Sequence, residues 1–283
     1  MATRIWKGND SSTPNDYSVA GNWDTAVPTA SDTVIIPAGS ASITAGLNQS
    51  SVELAEFTVQ EGYTGTIGIR GASGAEPTYL QIDLANDSPC EFTLQNHAYV
   101  NIGTSDVDVT VFRAATGAQG DYGLCLQGTG IQTLSVHAGS VGLAHQRGDI
   151  GHCDDIQLHG SALLYRGQGA DNSTATISGG TLVDAGGIST CNIYSGRFTS
   201  IEKAALTTLN CYGGRSVLSS VTTVTTVNMK KPSCSLDFSQ NGNPRTVTTL
   251  NFEEGDIKFH PNVTITNFNH STLAAVLTSR TMV

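Results

Sequence analysis

Charge is scarce in this chain, and basic charge is scarcer still: only 13% of the 283 residues are charged, with 14 Lys and Arg against 24 Asp and Glu, for a formal net charge of −10. Such a balance lacks the electrostatic attraction that supplies most non-specific affinity for a phosphate backbone, so no nucleic-acid partner is expected. Long apolar runs are also missing. The start, Met1 to Asn9, has no apolar h-region, and the longest apolar run near the end is Leu273 to Leu277. Neither a signal peptide nor a membrane span is expected, and the chain reads as soluble and made in the cytoplasm. Asn-x-Ser/Thr triplets at Asn48, Asn172 and Asn262 therefore carry no weight as glycosylation sites. No CxxC pair occurs among the six cysteines, Cys90, Cys125, Cys153, Cys191, Cys211 and Cys234. They read as small buried apolar residues in reduced form, because a cytoplasmic chain of this length needs no disulfide staples.

Helix formers are few, whereas 31 glycines and many Thr, Ser and Asn suit short strands joined by tight turns. From about residue 130 a phrase recurs: Thr133-Leu134-Ser135-Val136, Ile156-Gln157-Leu158, Ala175-Thr176-Ile177, Cys191-Asn192-Ile193, Thr208-Leu209-Asn210-Cys211, Thr226-Val227-Asn228-Met229 and Thr249-Leu250-Asn251-Phe252. Its first apolar position falls at 134, 156, 175, 191, 209, 227 and 250, intervals of 22, 19, 16, 18, 18 and 23 by subtraction. A period in this range is that of a solenoid. Glycine turns follow, each with a second apolar group at Val141, Leu182, Phe198 or Val217, so one coil holds two or three strands. Alternation sends the apolar set inward, with Thr, Asn and Ser facing out or bonding along the stack. Stacked coils bury together what one coil cannot, which predicts an all-β parallel β-helix, or β-solenoid. Cys191 and Cys211 then occupy core ladder positions, and the Gly167 to Asn172 stretch is expected as an outside loop.

Before residue 130 alternation persists at Val52-x-Leu54, Phe57-x-Val59, Ile67-x-Ile69, Leu80-x-Ile82-x-Leu84, Phe92-x-Leu94 and Val107-x-Val109-x-Val111. Wider early coils and a small sheet both fit that spacing. Trp6, Tyr17 and Trp23 gather before residue 40, and no other tryptophan follows, so they form an aromatic N-terminal cap. The organisation is thus residues 1–50 as cap and first strand, 51–130 as early coils or a small sheet, 131–270 as regular coils and 271–283 as a C-terminal tail. Asn269-His270-Ser271 would start a short helix or tail over Leu273 to Leu277 that covers the last coil.

Ile5-Trp6-x-Gly8 with Asn22-Trp23, Pro28 and the Asp32 to Pro37 string, then Ala45 to Ser50, Thr64 to Gly68, Gly139 to Ala144 and the Thr-Thr-Leu-Asn phrases, resemble β-helical structural proteins of tailed-bacteriophage virions. The resemblance spans nearly the whole chain. It implies a non-enzymatic head-associated protein on the capsid exterior, assembled in the host cytoplasm, with the major capsid protein as partner. The turn at Lys230-Lys231-Pro232 and the number of cysteines depart from that pattern. A homotrimer follows as an expectation from repeated lattice sites, which favour symmetric oligomers.

A β-helix can also cut polysaccharide, with two carboxyl groups held across one bond. Candidates are Asp149, Asp154 and Asp155, near Arg147 and Arg166, and Glu253, Glu254 and Asp256 on a later coil. His152, Cys153, Asp154, Asp155 and His159 could be read as a metal group, but residues adjacent along a strand face opposite sides and do not converge. Acidic turns that keep the surface solvated are the simpler reading, so no catalytic, cofactor or metal residue is assigned. The competing function is a tailspike or fibre subunit that binds or degrades host-surface polysaccharide. A secreted adhesin-like passenger is disfavoured by the missing signal segment.

Overall fold

A computed structural model describes residues 1–72, 75–117, 122–145, 149–202, 204–240, 242 and 244–270. Among these residues, apart from one short 3-10 turn at Ala20–Asn22, every regular element is a strand, and every pairing between named strands is parallel. The chain winds into a β-solenoid of about 11 turns.

Two stacks of strands form its walls. The first starts at Thr3–Ile5 and Thr33–Ile36, passes through Glu56–Tyr63, Ser88–Leu94 and Val107–Arg113, and ends at Arg245–Phe252 and Val263–His270. The second runs from Asn48–Leu54 and Leu80–Leu84 to Cys234–Asp237 and Asp256–Lys258. Leu124–Val136 belongs to both, pairing with Ala98–Asn101 through its first half and with Val107–Arg113 through its second. The early region is therefore made of coils in the same two stacks. Extra residues are absorbed as register shifts between Asn48 and Glu53 and between Val59 and Tyr63.

All seven phrase positions fall in one column: Leu134 pairs with Ile156, then Ala175, Cys191, Leu209, Val227 and Leu250 follow rung by rung. Each is essentially inaccessible to solvent, as expected for side chains that cover one another up the axis. Cys191 and Cys211 lie in adjacent inner columns, and all six cysteines are buried and held as thiols, with no disulfide among the described residues. Val141, Leu164, Leu182 and Phe198 form the facing column of the second stack. Ser216, not Val217, takes the next rung.

Strict alternation fails at one point in each long coil. Thr207 and Thr208, and likewise Thr225 and Thr226, both face outward between buried Leu206 and Leu209 or Val224 and Val227. The Thr-Thr pair thus marks a bend that lets the wall curve around the core. Asp154 and Asp155 occupy the same bend, so His152, Asp154 and Asp155 all face out while Cys153 points into the core. The predicted outside loop at Gly167 to Asn172 is shorter than expected. Gly167 to Gly169 make a tight turn, and residue 170 already begins the strand Ala170–Ile177. A side chain at Gly167 or Gly169 would strike the carbonyl oxygen of Ala144 or Asp149, so the turn lies flat on the coil below. Ile67 and Ile69 make only isolated bridges, Ile67 with Ile43 and Ala98, because positive-φ Gly68 interrupts any strand there.

The two ends differ. At the first, Trp6, Tyr17 and Trp23 pack with ring centroids 4.7 to 6.1 Å apart, and the indole N–H groups donate to Ala41 O and Tyr17 O. Buried Asn22 closes the cap loop by donating to Thr13 O and Asp16 O and accepting from the Asp10 amide. At the other end, no strand among the described residues pairs with the free edge of Val263–His270. Phe259 and Phe268 are 51% and 48% exposed there. The predicted C-terminal helix or tail over Leu273 to Leu277 lies outside the described residues.

Candidate functional site

The outer face of the first stack carries three parallel columns of side chains. The first begins Thr174, Thr190, Thr208, Thr226, Thr249. Two residues further along each strand lies the second, with Thr176, Asn192, Asn210, Asn228, Asn251 and Asn269 in sequence. Here the asparagine amides bond along the axis: Asn210 donates to Asn192 at 2.9 Å, Asn228 to Asn210 at 2.7 Å, Asn251 to Asn228 at 2.7 Å and Asn269 to Asn251 at 2.8 Å.

The third column consists largely of rings. The amide of His137 donates to Val111 O, that of His159 to Val136 O, Ser178 to Leu158 O, Tyr194 to Ile177 O and Tyr212 to Ile193 O, so these residues stand one above another. Phe112 stacks on His137 with centroids 5.8 Å apart, and His137 on His159 at 4.7 Å. Burial and the neighbouring His159 both push the His137 imidazole below its ordinary range. Tyr194 and Tyr212 stack at 4.9 Å, only 7° from parallel. Ser178 separates the two sets of rings. Lys230 and Glu253 continue the column as an ion pair.

Over the second stack, a smaller cluster forms outside the main core from Tyr79, Tyr99, Tyr122 and Cys125. Tyr79 donates to Asp149 at 2.9 Å, Gln127 also donates to Asp149, and His145 sits 3.8 Å from the Cys125 sulfur and edge-on to Tyr122. Burial and Asp149 push the Tyr79 hydroxyl up, while burial draws His145 down against the opposing pull of Asp149. A cleft of about 340 Å³ opens beside this cluster, lined by Gln81, Asn101, Gln127 and Ile150.

The acidic and basic residues singled out in the sequence do not gather. Asp149 is buried in the tyrosine cluster, Asp154 is exposed and paired with His152 at 2.8 Å, and Asp155 accepts from Gln157. Arg147 lies outside the described residues. Arg166 is fully buried inside the solenoid, 2.6 Å from Asp184. Glu253 pairs with Lys230, while Glu254 and Asp256 are exposed in and after the following turn. Thr249, four residues before Glu253, is five rungs above Asp155, about 24 Å at the spacing of parallel strands. His159 belongs to the ring column, and no metal-holding group of His, Cys, Asp or Glu occurs among the described residues. The ring column and the tyrosine cluster escaped sequence reading. Their rings come from different coils and meet only once the register is known, although Phe112, His137, His159, Tyr194 and Tyr212 share one signal, a ring directly after the last inward residue of the strand.

Two parallel stacks, a sealed first end and a core of stacked columns define the chain as a β-solenoid. No family model, curated protein or solved structure matches it. Among the described residues no helix is long and apolar enough to cross a membrane.

Proposed function

We propose that the chain is a non-enzymatic structural protein of a tailed-bacteriophage virion, seated on the capsid exterior as a homotrimer and bound to the major capsid protein. The observation that carries this reading is the contrast between its ends. An aromatic plug closes one, whereas the other presents an unpaired strand edge with Phe259 and Phe268 exposed among the described residues. Free edges and exposed apolar groups of this kind are suited to a fixed contact inside an assembly. The buried ion pair Arg166–Asp184 supports the same reading, since it ties successive turns together inside the solenoid. Reinforcement of the head would come from the added contact area between lattice subunits, and the acidic surface would limit aggregation of particles.

Cryo-electron microscopy of intact particles tests the placement. Density on the head at local threefold positions is expected, and density at the tail tip with none on the head overturns it. Incubation with capsular polysaccharide should release no new reducing ends or unsaturated products; turnover would favour the tailspike reading.

A further inference from the structure

We propose that the gap at Ser178 is a binding slot for one pyranose ring of an uncharged glycan, held between the faces of His159 and Tyr194. This inference stands apart from the placement in the virion and applies to a head or a tail protein alike.

The geometry is set by the ladder. His159, Ser178 and Tyr194 occupy successive rungs of one column, fixed by the amide bonds from Ser178 to Leu158 and from Tyr194 to Ile177, both 2.9 Å. Two rungs separate the rings, about 9.6 Å at parallel-strand spacing, so a ring set midway would lie about 4.8 Å from each. The stacked pairs on either side have centroid distances of 4.7 and 4.9 Å. The vacant rung therefore continues the repeat of the column. Tyr194 is 54% exposed, although Tyr212 covers its other face.

The walls around the gap indicate what fits. The amide ladder stops at the same rung: Asn192 accepts from Asn210, but its register partner in the slot coil is Thr176, so the ladder's terminal amide group stands beside the gap. Ser178 is exposed, and the Ser195 hydroxyl bonds to its carbonyl. Two apolar ring faces with hydroxyl and amide groups at their edge match a sugar ring, whose C–H faces are apolar and whose rim is hydroxylated. A nucleobase would bring phosphates toward a chain of net charge −10.

The test is NMR of the His159 and Tyr194 ring resonances in the full chain, titrated with maltohexaose, cellohexaose and chitohexaose, and with phenol as a plain aromatic ring. At least one oligosaccharide should give saturable shifts, with a dissociation constant at or below about 1 mM. Ser178→Tyr, which supplies the missing ring from the chain itself, should weaken binding at least about tenfold. Tyr194→Ser removes one face, sits at an exposed position and should have the same effect should Ser178→Tyr fail to fold. No saturable shift from any of the three sugars at about 10 mM overturns the proposal, as does unchanged affinity in Tyr194→Ser. Shifts produced by phenol and by none of the sugars would also overturn it, by assigning the slot to an aromatic ligand.

Discussion

Asp237 shows how single ionisable groups are used in this chain. Burial raises its carboxyl, but the Ser239 hydroxyl and amide, Arg215 and Gln240 together outweigh that and hold it at about 2, against an ordinary value of 3.8. Because the folded value is depressed, the group stabilises the fold above pH 4, and the contribution is lost as pH falls toward 2. Asp237→Asn should lower unfolding free energy at pH 7 by about 2 kcal/mol, with the difference from wild type closing between pH 4 and pH 2 in urea melts. Arg166 and Asp184 behave differently. Burial pushes the Asp184 carboxyl up and Arg166 opposes it, in a pair with almost no solvent exposure. Asp184→Ala should cost about 3 to 5 kcal/mol by stranding a buried guanidinium, and joint replacement by Arg166→Met and Asp184→Leu should recover most of it. Neither pair was legible from spacing. Arg166 sits at the end of a strand beside a glycine turn, a place that favours solvent for a charged side chain, and its inward direction follows only from pairing with Leu143 and Asp184 on adjacent coils.

Among elements, the inward columns were the most legible, since one apolar residue every coil is enough to locate them and the seven phrases stand in one register. Leu209→Asp places an unpaired charge at a fully buried rung and should abolish cooperative unfolding, as followed by circular dichroism on heating. A folded variant would show that the inward column is elsewhere. The glycine turns were equally legible. Gly139, Gly180, Gly196 and Gly214 all have positive φ, and a side chain at any of them would meet the preceding coil. Bends were not legible. Alternation predicts opposite faces for Asp154 and Asp155, yet both face out because the wall turns there; the neighbouring Thr-Thr pairs signal that bend only in the context of the fold.

For the whole molecule, stability in a stacked array is close to a sum over coils and their interfaces, so disruption of the last coil should leave earlier coils folded. Phe268→Asp is therefore expected to preserve the circular dichroism spectrum and most of the thermal stability. If the end that carries Phe268 makes the proposed trimer contact, light scattering should find wild type as a trimer and the variant as a monomer; a variant that matches wild type in mass would overturn that placement. The solenoid class was readable from period alone, whereas the difference between its ends depended on which side chains of the last coil are exposed among the described residues.

The asparagine ladder also gives the molecule an electrical direction. The amides of Asn269, Asn251, Asn228 and Asn210 all donate the same way, so the bond dipoles add along the axis and each strengthens the next. One terminus of this chain of bonds is a donor, at Asn192 beside the Ser178 gap, and the other is the acceptor oxygen of Asn269 on the last described coil. A partner that extends the ladder at that end must offer an N–H or O–H donor, and one that presents a carbonyl there is repelled.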